Sequence, residues 1–377
     1  MDSISPEGTC ALCGDPFAVR GDSNEHIIPN SIGGRRKISG FICRDCNSAT
    51  GESWDAEIWK QFSHVAMMHG VERDRGEPPS IKIQTVDGNR YLLLQDGSMT
   101  IEHPKFHAEP GEEGLGINVS ARDETEARRM ARQIANKYPK VDLERLLSAM
   151  SAVETPLESP VTFTSQFGGV LAGRSMVKSA VALAATIGVD ARTCDAALAH
   201  LKDDAAPAPH AFVYLRDLVA NRPQLHAFNC VSVLGDPSRR TLLGYVEYFS
   251  LSRVVVILSD AYDGEPVSAT YAFNPADGET VDLHVDLNLS EEELERVREN
   301  NAVTDETYSA ALNAGFGVIY RRSQMRHWQR ETEKAFEQTC KAMGIPWGGV
   351  VPQERAREFA THMVEYLGPM ISKMVGR

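Results

Sequence analysis

The sequence has no long apolar run. Uninterrupted apolar stretches such as Ala180 to Ala185 and Val254 to Leu258 are far shorter than the roughly 20 residues that a membrane helix needs. The first residues, Met1 to Thr9, are polar and acidic and include no apolar segment of the kind found in secretion signals. We therefore expect a cytoplasmic protein without a membrane partner.

Positive charge is also scarce. Lys and Arg number 39 against 52 Asp and Glu, which gives a formal net charge of -13. Binding to phosphates depends on clustered basic side chains, so this balance excludes a protein that coats nucleic acid over its whole surface and leaves room only for local basic patches. With 377 residues and 42% hydrophobic content, the chain is long and apolar enough for two or three globular domains.

The sequence has seven cysteines, an odd number, of which four fall in two CxxC pairs and three are scattered singly. In a chain without an export signal, pairs with CxxC spacing favour bound metal over disulfides. Two such pairs occur, about thirty residues apart, and they predict a structural zinc site with four thiolate ligands: Cys10, Cys13, Cys43 and Cys46. A zinc ion with four cysteine ligands has no open position for a substrate, and non-catalytic zinc ribbons share this pattern.

Periodicity and turn signals predict three regions. Residues 1–75 would form two short strands around a Gly turn and then a helix, on which Trp54, Ile58, Phe62 and Val65 recur at helical spacing; a Pro-rich linker follows at Arg73 to Ser80. Residues 76–160 would form a connecting α+β region, and residues 161–377 a β-meander followed by helices. The expected elements are a hairpin of Ile81 to Val86 with Arg90 to Gln95, a helix from Glu124 to Lys137, a buried helix from Val170 to Ile187, a meander over Val231 to Asp286, and a helical tail broken near Gly315 and across Gly344 to Pro352.

The insert between the two CxxC pairs reads Asn24-Glu25-His26-Ile27-Ile28-Pro29 and is followed by Gly33-Gly34, while Asn47 stands directly after the second pair. This arrangement resembles the HNH family of ββα-metal nucleases, in the branch with CxxC, EHxxP, GG and CxxCN motifs. The resemblance covers Cys10 to Asp55, about an eighth of the chain. It implies an α+β protein in which an N-terminal zinc-stapled ββα-metal finger precedes a larger mixed antiparallel-β and helical region.

The resemblance also implies roles for individual residues. His26 would be the general base that takes a proton from water, and Glu25 and Asn47 would hold one catalytic divalent cation, Mg²⁺ or Mn²⁺. Asp55 is an alternative or additional metal ligand, or simply an acid near a helix N-terminus. Many HNH sequences have an asparagine that orients the base about five residues before the second CxxC pair, where this chain has Ile38.

Four basic residues lie near the expected site. Arg35, Arg36 and Lys37 fall in the Gly turn, and Arg44 lies inside the second CxxC pair. They would either contact phosphates of a nucleic acid or belong to solvated loops, and the sequence leaves both interpretations open.

The function predicted from these features is an HNH endonuclease that hydrolyses phosphodiester bonds, with DNA favoured over RNA, in restriction or antiphage defence. The remaining residues would select the target, form a homodimer or sense a signal. One alternative is a non-catalytic zinc-dependent module that binds nucleic acid. Another is a signal-gated effector nuclease whose C-terminal region binds a small ligand, with Arg174, Lys178 and Arg253 as candidate contacts in Val161 to Asp286.

Overall fold

The computed structural model describes residues 8–111, 114–139, 141–148, 150, 157, 159–346 and 348–375. The strands are β1 (Glu25–His26), β2 (Lys37–Ile38), β3 (Ile81–Thr85), β4 (Arg90–Leu93), β5 (Met99–Ile101), β6 (Lys105–Gly111), β7 (Gly114–Ser120), β8 (Val161–Thr162), β9 (His210–Phe212), β10 (Asn229–Asp236), β11 (Thr241–Tyr248), β12 (Ser252–Ser259) and β13 (Val267–Phe273). The helices are α1 (Phe17–Arg20), α2 (Arg44–Thr50), α3 (Ala56–His69), α4 (Glu124–Lys137), α5 (Leu143–Ser148), α6 (Val170–Thr186), α7 (Asp195–Lys202), α8 (Glu291–Arg298), α9 (Asp305–Met343) and α10 (Ala356–Val375). The protein is thus an α+β protein, as predicted.

The N-terminal module has the expected ββα arrangement. Strands β1 and β2 pair antiparallel, with Glu25 opposite Ile38 and His26 opposite Lys37. Between them, Gly33 has a left-handed backbone with φ of 93°. At Gly34 a Cβ atom would lie 1.8 Å from the carbonyl oxygen of Ile28, so the turn requires glycine there.

A long helix follows the second strand. Helices α2 and α3 are joined by one π-helical turn, Gly51–Asp55, and together they run without a break from Arg44 to His69. Trp54, Ile58, Phe62 and Val65 are all buried along this run, which confirms the helical spacing. Single π turns inside helices occur frequently at functional sites, and this one carries Asp55.

The largest sheet has the strand order β13-β10-β11-β12-β9, with all neighbours antiparallel. Strands β10, β11 and β12 form the predicted meander. Strand β13 does not continue the meander. The free edge of β12 is occupied by β9, and β13 pairs with β10 instead. The four strands β10 to β13 form a Greek key instead of a continuous meander.

Helix α6 confirms the predicted buried helix. Every residue from Ala172 to Ala184 is buried, because the helix contacts the large sheet as well as α3 and the π turn of the N-terminal module. A Cβ atom at Gly244 of β11 would lie 2.8 Å from the Cβ atom of Ala180, so the helix and the sheet approach each other closely.

The hairpin β3-β4 and the helix α4 occur where the sequence predicted them. Strands β5, β4, β3 and β8 form a second antiparallel sheet in that order, and β6 pairs with β7. Trp59, on the helix of the N-terminal module, packs against the buried cluster of Met67, Ile83 and Leu93.

The chain consists of two compact units, Met1–Val318 and Ile319–Arg377. The predicted helix break near Gly315 is wrong, because α9 is continuous through that position. A Cβ atom at Gly315 would lie 2.6 Å from Leu251 Cδ2, so this glycine permits close packing instead of ending the helix. The predicted break after Gly344 is confirmed, since α9 ends at Met343 and α10 begins at Ala356.

The boundaries at 75/76 and 160/161 remain a prediction, and residues 1–7 and 376–377 of the predicted regions lie outside the described residues. Among the described helices, none combines the length and apolar character that crossing a bilayer requires.

Candidate functional site

The four cysteines of the two CxxC pairs form one cluster. Their Sγ atoms all lie within 4.8 Å of one another, and Cys13 Sγ is 3.8 Å from Cys43 Sγ. Tetrahedral zinc with bonds of about 2.3 Å separates its sulfur ligands by about 3.8 Å. The donor chemistry and the spacing therefore fit one zinc ion.

Backbone hydrogen bonds hold this cluster in shape. The amide of Cys43 donates to Cys10 Sγ at 3.3 Å, and the amide of Cys46 donates to Cys43 Sγ at 3.5 Å. Cys43 is the N-cap of α2, so the cluster fixes the start of the long helix. Hydrogen bonds to ligand atoms orient metal ligands in this way.

His26 lies at the edge of the two-stranded sheet, and 19% of its side chain is exposed. Burial lowers the pKa of the imidazole below its ordinary value, which a nearby carboxylate partly offsets. The ring is therefore neutral at pH 7, the form that can accept a proton from water.

The carboxylate beside His26 belongs to Asp74. Its Oδ2 atom lies 3.4 Å from His26 Nε2 and 2.5 Å from Lys37 Nζ. Asn30 holds the Asp74 segment in place: its side-chain oxygen accepts from the Asp74 amide at 2.9 Å, and its side-chain nitrogen donates to the Arg75 carbonyl at 3.2 Å. The first part of the predicted linker is therefore attached to the module.

Asp74 contacts the His26 ring, although the sequence has no asparagine at the position from which the family's pattern orients the base. The family's orienting asparagine would stand near Ile38, whose backbone pairs with Glu25. A carboxylate hydrogen-bonded to one ring nitrogen fixes the tautomer and orientation of a histidine.

Glu25 is not open to solvent. Only 4% of its side chain is exposed, and its Oε1 atom lies 2.5 Å from Nζ of Lys178, which is itself 1% exposed. Burial raises the pKa of Glu25, and the charge of Lys178 opposes this shift. Burial alone would lower the pKa of Lys178, but Asp55 and Glu25 hold it above its ordinary value.

Asp55 completes this cluster from the π turn. Its Oδ2 atom accepts from Lys178 Nζ at 2.8 Å, and its Oδ1 atom accepts from the Ser175 hydroxyl at 2.6 Å. Lys178 Nζ is also 3.4 Å from the hydroxyl of Thr50. Three segments of the chain, β1, the long helix and α6, are thus joined through one ammonium group.

These contacts bear on the expected divalent cation. Carboxylate and amide oxygens are the ligands that Mg²⁺ and Mn²⁺ prefer, so the donor chemistry of Glu25, Asp55 and Asn47 is suitable. The arrangement does not fit, because a buried ammonium group already contacts both carboxylates. Asn47 is half-buried in the first turn of α2.

The four basic residues expected near the site make contacts within the protein, and two of them lie outside the turn: Lys37 in β2 and Arg44 in α2. Arg35 forms an ion pair with Glu72 at 3.2 Å, and Lys37 with Asp74. The guanidinium of Arg36 lies 5.6 Å from the ring centroid of Tyr271. Arg44 is exposed and donates to the Asp22 carbonyl at 3.2 Å.

The candidate ligand contacts of the later region are also engaged. Lys178 is enclosed by the acidic pair, and Arg174 pairs with Asp204 at 2.6 Å. Arg253 lies against the fully buried Glu247 at 3.3 Å. All three side chains therefore make ionic contacts within the protein.

Sequence reasoning did not find Asp74 and did not connect Lys178 with the site. Asp74 lies in a charged, Pro-rich stretch that is typical of a linker. Lys178 had one detectable signal, namely a lysine within a helix that is apolar on more than one face, since a buried charge needs a partner.

A family model described as HNH endonuclease matches residues 10–63. This match agrees with the resemblance found in the motifs and with the cysteine cluster. No curated protein and no solved structure matches the chain.

Proposed function

We propose that the N-terminal module hydrolyses phosphodiester bonds in nucleic acid, with DNA as the favoured substrate and His26 as the general base. The observation that supports this most is the pairing of a partly exposed, neutral histidine with Asp74 on a zinc-stapled module. The match to the HNH endonuclease family model agrees with this nuclease-type function.

In this proposal the imidazole accepts a proton from the water molecule that attacks the phosphorus atom. The P–O bond to the leaving oxygen breaks, and that oxygen takes a proton from bulk water. Asp74 orients the ring through Nε2, and the proton passes to Nδ1. The structural zinc takes no part in the chemistry, because four cysteine ligands leave it no open position. Its role is to fix the loop and helix that flank β1.

The resemblance would also place a catalytic Mg²⁺ or Mn²⁺ ion on Glu25 and Asn47, with Asp55 as a further ligand. Because Lys178 contacts both carboxylates, these residues do not fit that ion, and no step of the proposal passes through it. A role in restriction or antiphage defence, a homodimer, and gating by a small ligand of the later region are proposals that rest on the same resemblance.

The enclosed carboxylates favour a second candidate function. If Glu25 stays bound to Lys178, the module can bind nucleic acid through its zinc-stapled scaffold without cutting it. The two functions differ in one measurable property, the cleavage of a bound nucleic acid.

Asp74→Asn is expected to lower the cleavage rate constant by about tenfold with little change in KM, because the general base loses its orienting charge but keeps its place. The amide oxygen can still accept from Lys37, so the segment should stay attached. Steady-state cleavage of a short labelled duplex measures both constants. Glu77→Gln, an exposed acid of the same stretch, is the matched control, and an unchanged rate for Asp74→Asn would remove Asp74 from the proposal.

Joint replacement of Arg35, Arg36 and Arg44 with alanine is expected to weaken DNA binding equally for all sequences. For each arginine that touches a phosphate in the wild-type complex, its removal should flatten the dependence of log K on log salt by about 0.9. Fluorescence titration in a His26→Ala background measures this slope without cleavage. Arg192→Ala removes an exposed arginine that pairs with Asp190 and serves as the control. A slope unchanged by the triple replacement would assign the three residues to solvated loops.

A further inference from the structure

Lys178 lies where a cation is expected in the site, but it comes from a different part of the chain. Its Nζ atom is 2.5 Å from Glu25 Oε1 and 2.8 Å from Asp55 Oδ2. Thr50 Oγ1, at 3.4 Å, adds a third oxygen. The ammonium group is thus surrounded by hard oxygen atoms, the kind of ligand that a divalent ion would use.

We infer that Lys178 is the resident cation of the Glu25–Asp55 pair, and that the folded chain does not bind a divalent metal ion on Glu25 while Lys178 is in place. The inference rests on the proposed function only in taking Glu25 as the position of the family's metal ligand. It does not depend on whether the protein cuts nucleic acid.

Charge balance supports this assignment. Lys178 is 1% exposed and Glu25 4% exposed, so water does little to screen either charge. A divalent ion on Glu25 would stand next to a buried positive charge of the same sign, and that repulsion is strong in a poorly hydrated interior.

The packing of α6 keeps the ammonium group in position. Ser175, one turn before Lys178, donates to Asp55 Oδ1 at 2.6 Å, and the hydroxyl groups of Ser179 and Tyr248 lie 3.0 Å apart. The helix is buried from Ala172 to Ala184. Lys178 is therefore fixed at both its backbone and its charged end, and an ion cannot displace it by a simple rotamer change.

Removing the lysine should create the metal site that it fills. Lys178→Met retains most of the side-chain volume and leaves the buried Glu25 and the half-buried Asp55 without a counter-ion, a situation that either destabilises the fold or attracts a cation. Mn²⁺ is a suitable probe because it accepts carboxylate oxygens and its binding can be followed by electron paramagnetic resonance.

The experiment measures Mn²⁺ affinity of the full-length, zinc-loaded chain. We expect wild type and Glu25→Gln to agree within about twofold, as should the control Glu52→Gln, whose carboxylate is exposed on the long helix. We expect Lys178→Met to bind Mn²⁺ about tenfold more tightly or better, and the double variant Lys178→Met/Glu25→Gln to lose that gain.

Two results would overturn the inference. One is a Glu25→Gln variant that binds Mn²⁺ about tenfold more weakly than wild type, which would make Glu25 a metal ligand with Lys178 present. The other is a folded Lys178→Met variant with no gain in affinity. Should Lys178→Met fail to fold, the comparison of wild type with Glu25→Gln still decides. Cleavage is scored separately, so failure of the proposed nuclease function would leave these affinities as they are.

Discussion

Cys43→Ser is expected to release the zinc ion and unfold the N-terminal module. Cys43 is fully buried, its Sγ atom accepts a hydrogen bond from the Cys46 amide, and its own amide donates to Cys10 Sγ. One substitution therefore removes a metal ligand and also disturbs the start of the long helix. Structural zinc in small modules supplies about 10–16 kcal/mol of apparent binding free energy, which is comparable with the whole stability of a typical domain, about 5–15 kcal/mol.

Elemental analysis and thermal unfolding measure the two effects together. Wild type should carry about one zinc ion per chain, and Cys43→Ser much less than that, with an early unfolding transition. Cys194→Ala is the matched control, because Cys194 is buried but lies outside the cluster. Folded wild-type protein without zinc would contradict the assignment of the cysteine cluster.

The local parts of the module could be predicted from the sequence. Cysteine spacing fixes which thiolates can meet, and the Gly33-Gly34 turn fixes how β1 and β2 pair. The helical spacing of Trp54, Ile58 and Phe62 correctly predicted the long helix. Each of these features depends on residues that are close in sequence, where backbone geometry leaves few alternatives.

The partners of the site could not be predicted, because they arrive from distant segments. Asp74 is 48 residues from His26, and Lys178 is 123 residues from Asp55. Nothing in the local pattern around Asp74 distinguishes it from the acids of an ordinary solvated stretch. The strand order of the large sheet was missed for a related reason, since pairing of β13 with β10 depends on β9 occupying the edge of β12.

The resemblance assigns different roles to the adjacent residues Glu25 and His26, and the structure gives the two side chains different surroundings. The ring of His26 is partly exposed, whereas the side chain of Glu25 is buried and contacts Lys178. A variant at His26 should therefore act on chemistry alone, and a variant at Glu25 should act on the contact with α6.

His26→Ala is expected to slow cleavage by about a hundredfold or more, the usual scale for the loss of a general base. The ring packs at the edge of β1, and its Asp74 contact is a single hydrogen bond, so zinc content and the thermal unfolding temperature should change little. His103→Ala, which removes a largely exposed histidine elsewhere, is the matched control. A lower affinity for DNA with an unchanged cleavage rate would assign His26 to binding instead.

The most direct test of a nuclease centre at residues 10–63 is a cleavage time course with the full-length chain. Wild type and His26→Ala are purified in parallel and incubated with supercoiled DNA, linear DNA and RNA in Mg²⁺ or Mn²⁺. We predict that wild type cuts at least one of these substrates and that His26→Ala is slower on it by about a hundredfold or more. Equal rates for the two proteins, or no cleavage by wild type of any substrate, would contradict the account.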